Sequence, residues 1–227
     1  MNNKLTLVTL AVLGTTTLNA ELFTEHFKDG VVKSQIEYEE HTRTDVKEGV
    51  KHGLEKVYYN TGELAFKVNN TEGKRDGAMD WYDRAGNHLE IIHYQMGNRH
   101  GVNKTFFADG TLRIEVNYIN DHKEGLEKYY FSTGKLASEV KFVHGQKEGL
   151  QKEYNEDGSL HNDVMYKHGY KEGEKHWYDK KGKVTRTVTY KMDRPIDLMK
   201  EAQAKKPDQT NKLLQGLDFN PNNRKVD

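Results

Sequence analysis

Residues Gly125 to Glu148 read GLEKYYFSTGKLASEVKFVHGQKE, and the reading of this stretch decides the fold, because the chain repeats it. Gly53, Gly77, Gly101, Gly125, Gly149 and Gly173 stand 24 residues apart without drift. Five residues after each comes an aromatic: Tyr58, Tyr82, Phe106, Tyr130, Tyr154, Tyr178. Nine after comes a second glycine: Gly62, Gly86, Gly110, Gly134, Gly158, Gly182. Fifteen after comes a β-branched residue: Val68, Ile92, Val116, Val140, Val164, Val188. Four columns held in phase over six copies mark a tandem array, whose units bury surface against their neighbours.

Within the unit, Leu126 to Phe131 is rich in aromatics, Ser132-Thr133-Gly134 is turn material, and Lys135 to Phe142 alternates. Leu136, Val140 and Phe142 fall on one side and Ala137, Glu139 and Lys141 on the other, the period of a half-buried strand. The copy from Gly101 repeats this with Leu112, Ile114, Val116 and Tyr118 against Arg113, Glu115 and Asn117. His144 to Gly149 reads as a second turn, with the glycines placed where the chain reverses at positive φ. Strands of about six residues joined by short turns pair antiparallel with their sequence neighbours. The expected fold is therefore all-β: a single-layer antiparallel β-meander of 24-residue hairpin repeats, each copy advancing the sheet by roughly 9–10 Å.

These residues resemble the variant class of MORN (membrane occupation and recognition nexus) repeats, found in bacterial proteins of the YwqK-type, antitoxin-like group. The matching pattern is a glycine, an aromatic pair, a turn glycine, Leu, and a closing Gly-x-Lys-x-Gly. Here it takes the forms Tyr58-Tyr59, Trp81-Tyr82, Phe106-Phe107, Tyr129-Tyr130 and Trp177-Tyr178, with closers at Gly73-Lys74-Arg75-Asp76-Gly77 and Gly145-Gln146-Lys147-Glu148-Gly149. The resemblance spans residues 22 to 192 and speaks to architecture. Its departures are His88 in place of Leu or Val, Glu153 beside Tyr154, and Asp121 and Asp193 in place of the closing glycine; they bear on local turn shape. MORN repeats also occur in some phosphatidylinositol-phosphate kinases, but this chain has no Gly-rich phosphate loop and no His-Arg-Asp catalytic stretch.

Composition narrows the function. Of 227 residues 34% are hydrophobic and 31% charged, which suits a thin array rather than a thick core. The net charge of zero gives no support to nucleic-acid binding. The absence of cysteine excludes disulfides, thiolate metal sites and cysteine nucleophiles. Residues 1–20 read as a secretory signal peptide: Lys4, an apolar run from Leu5 to Leu13 too short to span a bilayer, small polar residues, and cleavage after Ala20. The alternative for this segment is a short strand or helix at the N-terminus. The signal reading implies an exported chain, periplasmic or extracellular, with no transmembrane segment and a net charge of −1 once Lys4 is lost.

Residues 21–52 read as a degenerate first repeat, with Phe27, Gly30, Val32, Ile36 and Tyr38 in its columns and an eight-residue insertion at Glu39 to Lys47. Six regular repeats fill 53–192. Residues 193–227 read as a helical cap and flexible tail: Asp193 as cap, Pro195 in the first turn, Ile196 to Ala204 carrying the helix, then a tail whose apolar group is Leu213, Leu214 and Leu217.

Candidate chemistry is sparse. Trp81, Tyr129 and Trp177 are expected on the face opposite the Tyr58-to-Tyr178 ladder, either as cross-strand packing or as a platform for sugar rings or a partner's apolar surface. The 11 histidines are scattered, with His144 and His168 equivalent in adjacent copies and His100 and His122 read as turn residues; no metal site is expected. The Lys-Glu-Gly triplets at Lys47, Lys123, Lys147 and Lys171 read as solvated turns, with a headgroup-binding edge as the alternative. No catalytic set or cofactor motif emerges. The sequence therefore favours a non-enzymatic scaffold for a protein partner or cell-envelope component. The alternatives are glycan or phospholipid-headgroup binding through the aromatic face, and antitoxin-like neutralisation of a partner, which the resemblance alone implies.

Overall fold

A computed structural model describes residues 6–9, 20–39 and 50–196. Its strands, in chain order, are β1 (Thr6–Thr9), β2 (Ala20–His26), β3 (Val32–Glu39), β4 (Lys51–Tyr58), β5 (Leu64–Thr71), β6 (Lys74–Tyr82), β7 (His88–Gln95), β8 (Asn98–Arg99), β9 (Gly101–Phe106), β10 (Leu112–Ile119), β11 (His122–Tyr130), β12 (Leu136–Val143), β13 (Gln146–Tyr154), β14 (Leu160–Lys167), β15 (Tyr170–Tyr178), β16 (Val184–Lys191) and β17 (Arg194–Pro195). They form one antiparallel meander, as the period requires. In one place a strand is split: β7 pairs with both β8 and β9, two pieces interrupted at His100.

Two kinds of turn alternate along the array. At the second glycine column, Gly62 N–H donates to Tyr59 O and Tyr59 N–H to Glu63 O, and the same pair of bonds recurs at Gly86, Gly110, Gly134, Gly158 and Gly182. This is a tight turn closed by a glycine at positive φ, the usual three-residue hairpin with a bulge. The other turn is two residues long, and both residues lie at positive φ: Glu72-Gly73, Met96-Gly97, His144-Gly145 and His168-Gly169. Such a turn matches the strand twist. Asn120-Asp121 and Met192-Asp193 hold the same geometry, with Asp at φ 65° and 64°. The departures at Asp121 and Asp193 thus leave the turn shape unchanged.

The first glycine column does not mark reversals, contrary to the sequence reading. Gly77, Gly125, Gly149 and Gly173 sit three residues inside strands of nine, at register shifts against the preceding strand. There a positive φ accommodates one extra residue as a bulge. The chain reverses at His144-Gly145 and runs straight on through Gly149, so β12 and β13 are eight and nine residues long rather than about six.

The ends differ from expectation in part. Thr6–Thr9 pairs along β2, the short-strand alternative for this segment, and Ala20 opens β2. The insertion falls between β3 and β4, and its residues 40–49 lie outside the described residues. Pro195 is not in the first turn of a helix: Tyr190↔Pro195 and Lys191↔Arg194 extend the sheet, and helical structure begins only at Ile196. Nor does Asp193 cap a helix, since its carboxylate accepts the N–H of Lys171 in the neighbouring repeat at 2.7 Å. The body of the expected helix, 197–204, and the tail lie outside the described residues.

Candidate functional site

The antiparallel register draws a row of residues straight across one face of the sheet: Phe66, Trp81, Glu90, Thr105, Ile114, Tyr129, Ser138, Glu153, Asn162, Trp177, Arg186, each opposite the next. Trp81, Tyr129 and Trp177 therefore do share a face and a line. They do not touch. Four strand spacings separate each from the next, roughly 19 Å. Trp81 packs on Phe66, ring centroids 4.6 Å apart. The Lys175 amine and the Arg186 guanidinium each lie 4.8 Å from the centroid of the Trp177 ring. Tyr129 is the most open, 38% exposed. The three residues are separate stations along a row whose character changes between them.

Two residues along each strand, on the same face, runs the core row. Val68, Met79, Val116, Val140 and Val164 are nearly inaccessible although the sheet is one layer thick. The rows on either side supply the cover: the Trp81–Tyr129–Trp177 row above, and below it a row of clasps that sequence reading missed. Arg75 stacks on Tyr94, Arg99 on Tyr118, Lys123 on Phe142, Lys147 on Tyr166 and Lys171 on Tyr190, at 4.3 to 5.5 Å. Each of these aromatics lies opposite a first-column glycine (Gly77, Gly101, Gly125, Gly149, Gly173). The signal was present: the cations stand two residues before each first-column glycine and the aromatics seventeen after.

The clasps give every residue of the Lys-Glu-Gly triplets structural work. The carbonyls of Lys123, Lys147 and Lys171 accept the turn N–H of Gly145, Gly169 and Asp193. The carboxylates of Glu124, Glu148 and Glu172 accept the N–H of His144, His168 and Met192, at 2.8, 2.8 and 2.9 Å. The glycines form the bulges. Each turn is thereby tied to the one a repeat earlier. Lys47-Glu48-Gly49 lies outside the described residues.

Polar contacts also cross this face: near the N-terminal end the buried Asn70 donates to the buried Glu55 at 3.1 Å, and a longer set lies toward the C-terminal end. Lys147 donates to Gln151 at 2.8 Å, Gln151 to Glu153 at 3.0 Å, and Asn162 to Glu153 at 2.6 Å. Asn162 is 2% exposed, and its Oδ1 has no partner. Burial lowers the pKa of the Lys147 and Lys175 amines, partly offset by nearby carboxylates, and pushes the Tyr166 phenol up to about 12. Burial likewise raises Tyr129 to about 12, with Glu127 adding to the shift.

The opposite face is a charge ladder. Lys104, Glu115, Lys128, Glu139, Lys152, Asp163 and His176 face one another in sequence across seven strands. The repeat tyrosines belong to this face. The Tyr154 hydroxyl donates to Glu139 and the Tyr178 hydroxyl to Asp163, at 3.1 and 2.8 Å. His176 bridges Asp163 and Glu174 at 2.9 and 3.0 Å, and the Asp163 bond, ahead of Glu174, raises its pKa. His88 packs against Tyr82, centroids 4.6 Å apart. His144 and His168 are turn residues as read, whereas His122 opens β11 and His100 interrupts the β8–β9 strand. Among the described residues, no cluster of three or more His, Asp or Glu side chains could hold a metal ion, and no helix is long and apolar enough to cross a membrane.

A family profile described as MORN repeat variant matches residues 51–69, 99–120, 123–144 and 147–168. No curated protein sequence matches. Among solved structures, a variant of S. aureus TarM is 16% identical over 47% of this chain and 22% of that one, with a TM-score of 0.29. A GtfA/B complex bound to UDP and GlcNAc is 12% identical over 55% and 24%, TM-score 0.24. A porin-like protein from Bacteroides uniformis is 9% identical over 78% and 86%, TM-score 0.21. This chain spans less than a quarter of the length of the TarM variant, and likenesses this distant carry no argument.

Proposed function

Because the chain belongs to the MORN repeat variant family, we propose that it is an exported, non-enzymatic scaffold that binds a protein or another component of the cell envelope. The observation that carries this reading is the unbroken cross-strand row on one face, where side chains stand at fixed strand spacing over a nearly inaccessible core row. A surface of that kind is extended rather than enclosed, which suits a long partner. Capture from envelope fractions with the processed chain as bait tests it. A partner lost with Trp81→Ala or Tyr129→Ala but kept by the surface control Lys180→Ala is the expected result. Turnover of a substrate panel, abolished by one side-chain change, would overturn it. Export is checked directly by the N-terminus of the secreted protein, expected at Glu21.

One observation favours a glycan as the component bound. Along the row between Tyr129 and Trp177 stand Ser138 and Glu153, half-exposed polar groups in line with the aromatic rings, and beside Trp81 stands Glu90. That pairing suits hydroxyl-rich rings. Both Trp rings are already engaged, Trp81 by Phe66 and Trp177 by its two cations, so such binding would involve ring edges and exchange of the cations. Glycan-array binding that survives in Trp81→Ala and Trp177→Ala alike would remove this reading, and liposome flotation separates it from headgroup binding.

A further inference from the structure

We propose that the processed chain associates head to tail with a second copy of itself, the β2 edge of one adding to the β16 edge of the other. The proposal rests on the export reading, because β1 covers β2 from Thr6↔Thr24 to Thr9↔Glu21. Loss of residues 1–20 uncovers that edge and removes from β2–β3 only the terminal pair Ala20↔Glu39, leaving Glu21↔Tyr38 to His26↔Val32 in place.

The two edges are complementary in kind. Glu25↔Ser34 and His26↔Val32 on β2–β3 correspond to Val57↔Phe66 and Tyr58↔Leu64 on β4–β5, so β2 is the first strand of a repeat. Trp177↔Arg186 and Lys175↔Val188 correspond to Val57↔Phe66 and Glu55↔Val68, so β16 is the second strand of one. Inside the array a second strand always meets the next first strand antiparallel, as in Phe66↔Trp81, Lys67↔Asp80 and Val68↔Met79. The same register between copies sets Arg186 opposite Glu25, Thr187 opposite Thr24, and Val188 opposite Phe23 of the second copy. Those are an opposite-charge pair, a hydroxyl pair and an apolar pair, each of the favourable cross-strand kinds.

The short strand β17 fits the same scheme. It occupies only Tyr190 and Lys191 of β16, and among the described residues no strand pairs with the outer edge of Val184–Thr189. In the array those two positions belong to the start of the next first strand, as in Asn70↔Arg75 and Thr71↔Lys74. A chain beginning at Glu21 lacks residues for that start, and β17 supplies them. The strand shared between copies would then be a two-residue piece followed by a longer one, which is how β8 and β9 already pair along β7. Because the contact joins two different edges, it is heterologous and leaves a free edge at each end of a pair, so association continues beyond the dimer, as a filament or, where the rotation closes, as a ring.

Sedimentation over a concentration series, with chains beginning at Met1 and at Glu21 side by side, tests the inference. The Glu21 chain should associate with concentration and the Met1 chain should stay monomeric. Arg186→Glu and Glu25→Arg should each weaken association about tenfold or more by setting like charges opposite, and the double exchange should restore it. A Glu21 chain that stays monomeric well above micromolar concentration overturns the proposal, as does association that the single exchanges leave unchanged or that the double exchange fails to restore. The export reading fails separately: a native protein that retains Met1 would sink it, whatever the Glu21 chain does in the centrifuge.

Discussion

The same repeat position holds Met79 near one end of the array and Gln151 and Lys175 near the other, and the backbone around them is the same. Around Met79 this face carries Phe66, Val68, Trp81 and Ile92, and one repeat earlier the Met79 position holds Glu55, buried and hydrogen-bonded by Asn70. Toward the C-terminal end the half-buried Gln151 and Glu153 and the buried Asn162 are stitched by hydrogen bonds beside Lys175, with Val140 and Val164 still buried among them. The glycine bulges, the two turn types and the cation–aromatic clasps run through both. The backbone of this array is therefore specified by a few columns, and the chemistry of the face between them is free to vary.

The comparison breaks most visibly at Met79. Met79 is fully inaccessible, so Met79→Ala should cost about 2–5 kcal/mol, against at most about 1 kcal/mol for the half-exposed Gln151→Ala. Equal shifts in urea denaturation would show that the two halves share their stability evenly. Gly101→Ala should cost about 1–2 kcal/mol wherever it is measured along the melt, since φ is +108° and a new Cβ would lie 3.2 Å from that of His93. Gly101→Ala as stable as the parent would mean the bulge is not required. Lys175→Met, which gives the last repeat the residue found at Met79, should gain up to about 1 kcal/mol by relieving the amine whose pKa burial lowers.

The smallest effect is a pH dependence confined to the last hairpin. The folded pKa of His176 is raised, chiefly by Asp163, so its contribution is complete below the ordinary imidazole range and lost as pH rises through the raised value. The groups facing it are Asp163, Glu174 and, through Asp163, the Tyr178 hydroxyl. Amide exchange in β15 and β16 should quicken over that interval, and His176→Asn should flatten the dependence; an unchanged profile in the variant would assign it to another group.

Much of the fold was legible because a repeat reports each of its constraints six times. Gly62 and its equivalents, alternation such as Ile114-Glu115-Val116, and the antiparallel meander all follow from local chain geometry. The first glycine column was legible as glycine and misread in role, since a bulge and a turn both ask for positive φ, and only pairing tells Gly149 from Gly145. The placement of Trp81, Tyr129 and Trp177 on one face opposite the tyrosine ladder was also readable from parity. That cations occupy the Trp177 ring was not, because Arg186 reaches it across a strand pair whose register the sequence does not state.

By itself, then, the sequence determined the period, the strand alternation and the residues that can sit at positive φ, for these depend on contacts a few residues apart. Only the tertiary structure decided that Arg75 meets Tyr94, that Glu124 anchors the turn at His144, and that the polar cluster around Glu153 lies in line with the three aromatics. Those meetings join residues about twenty positions apart or on strands far along the sheet, and bulges shift their register by a residue each time.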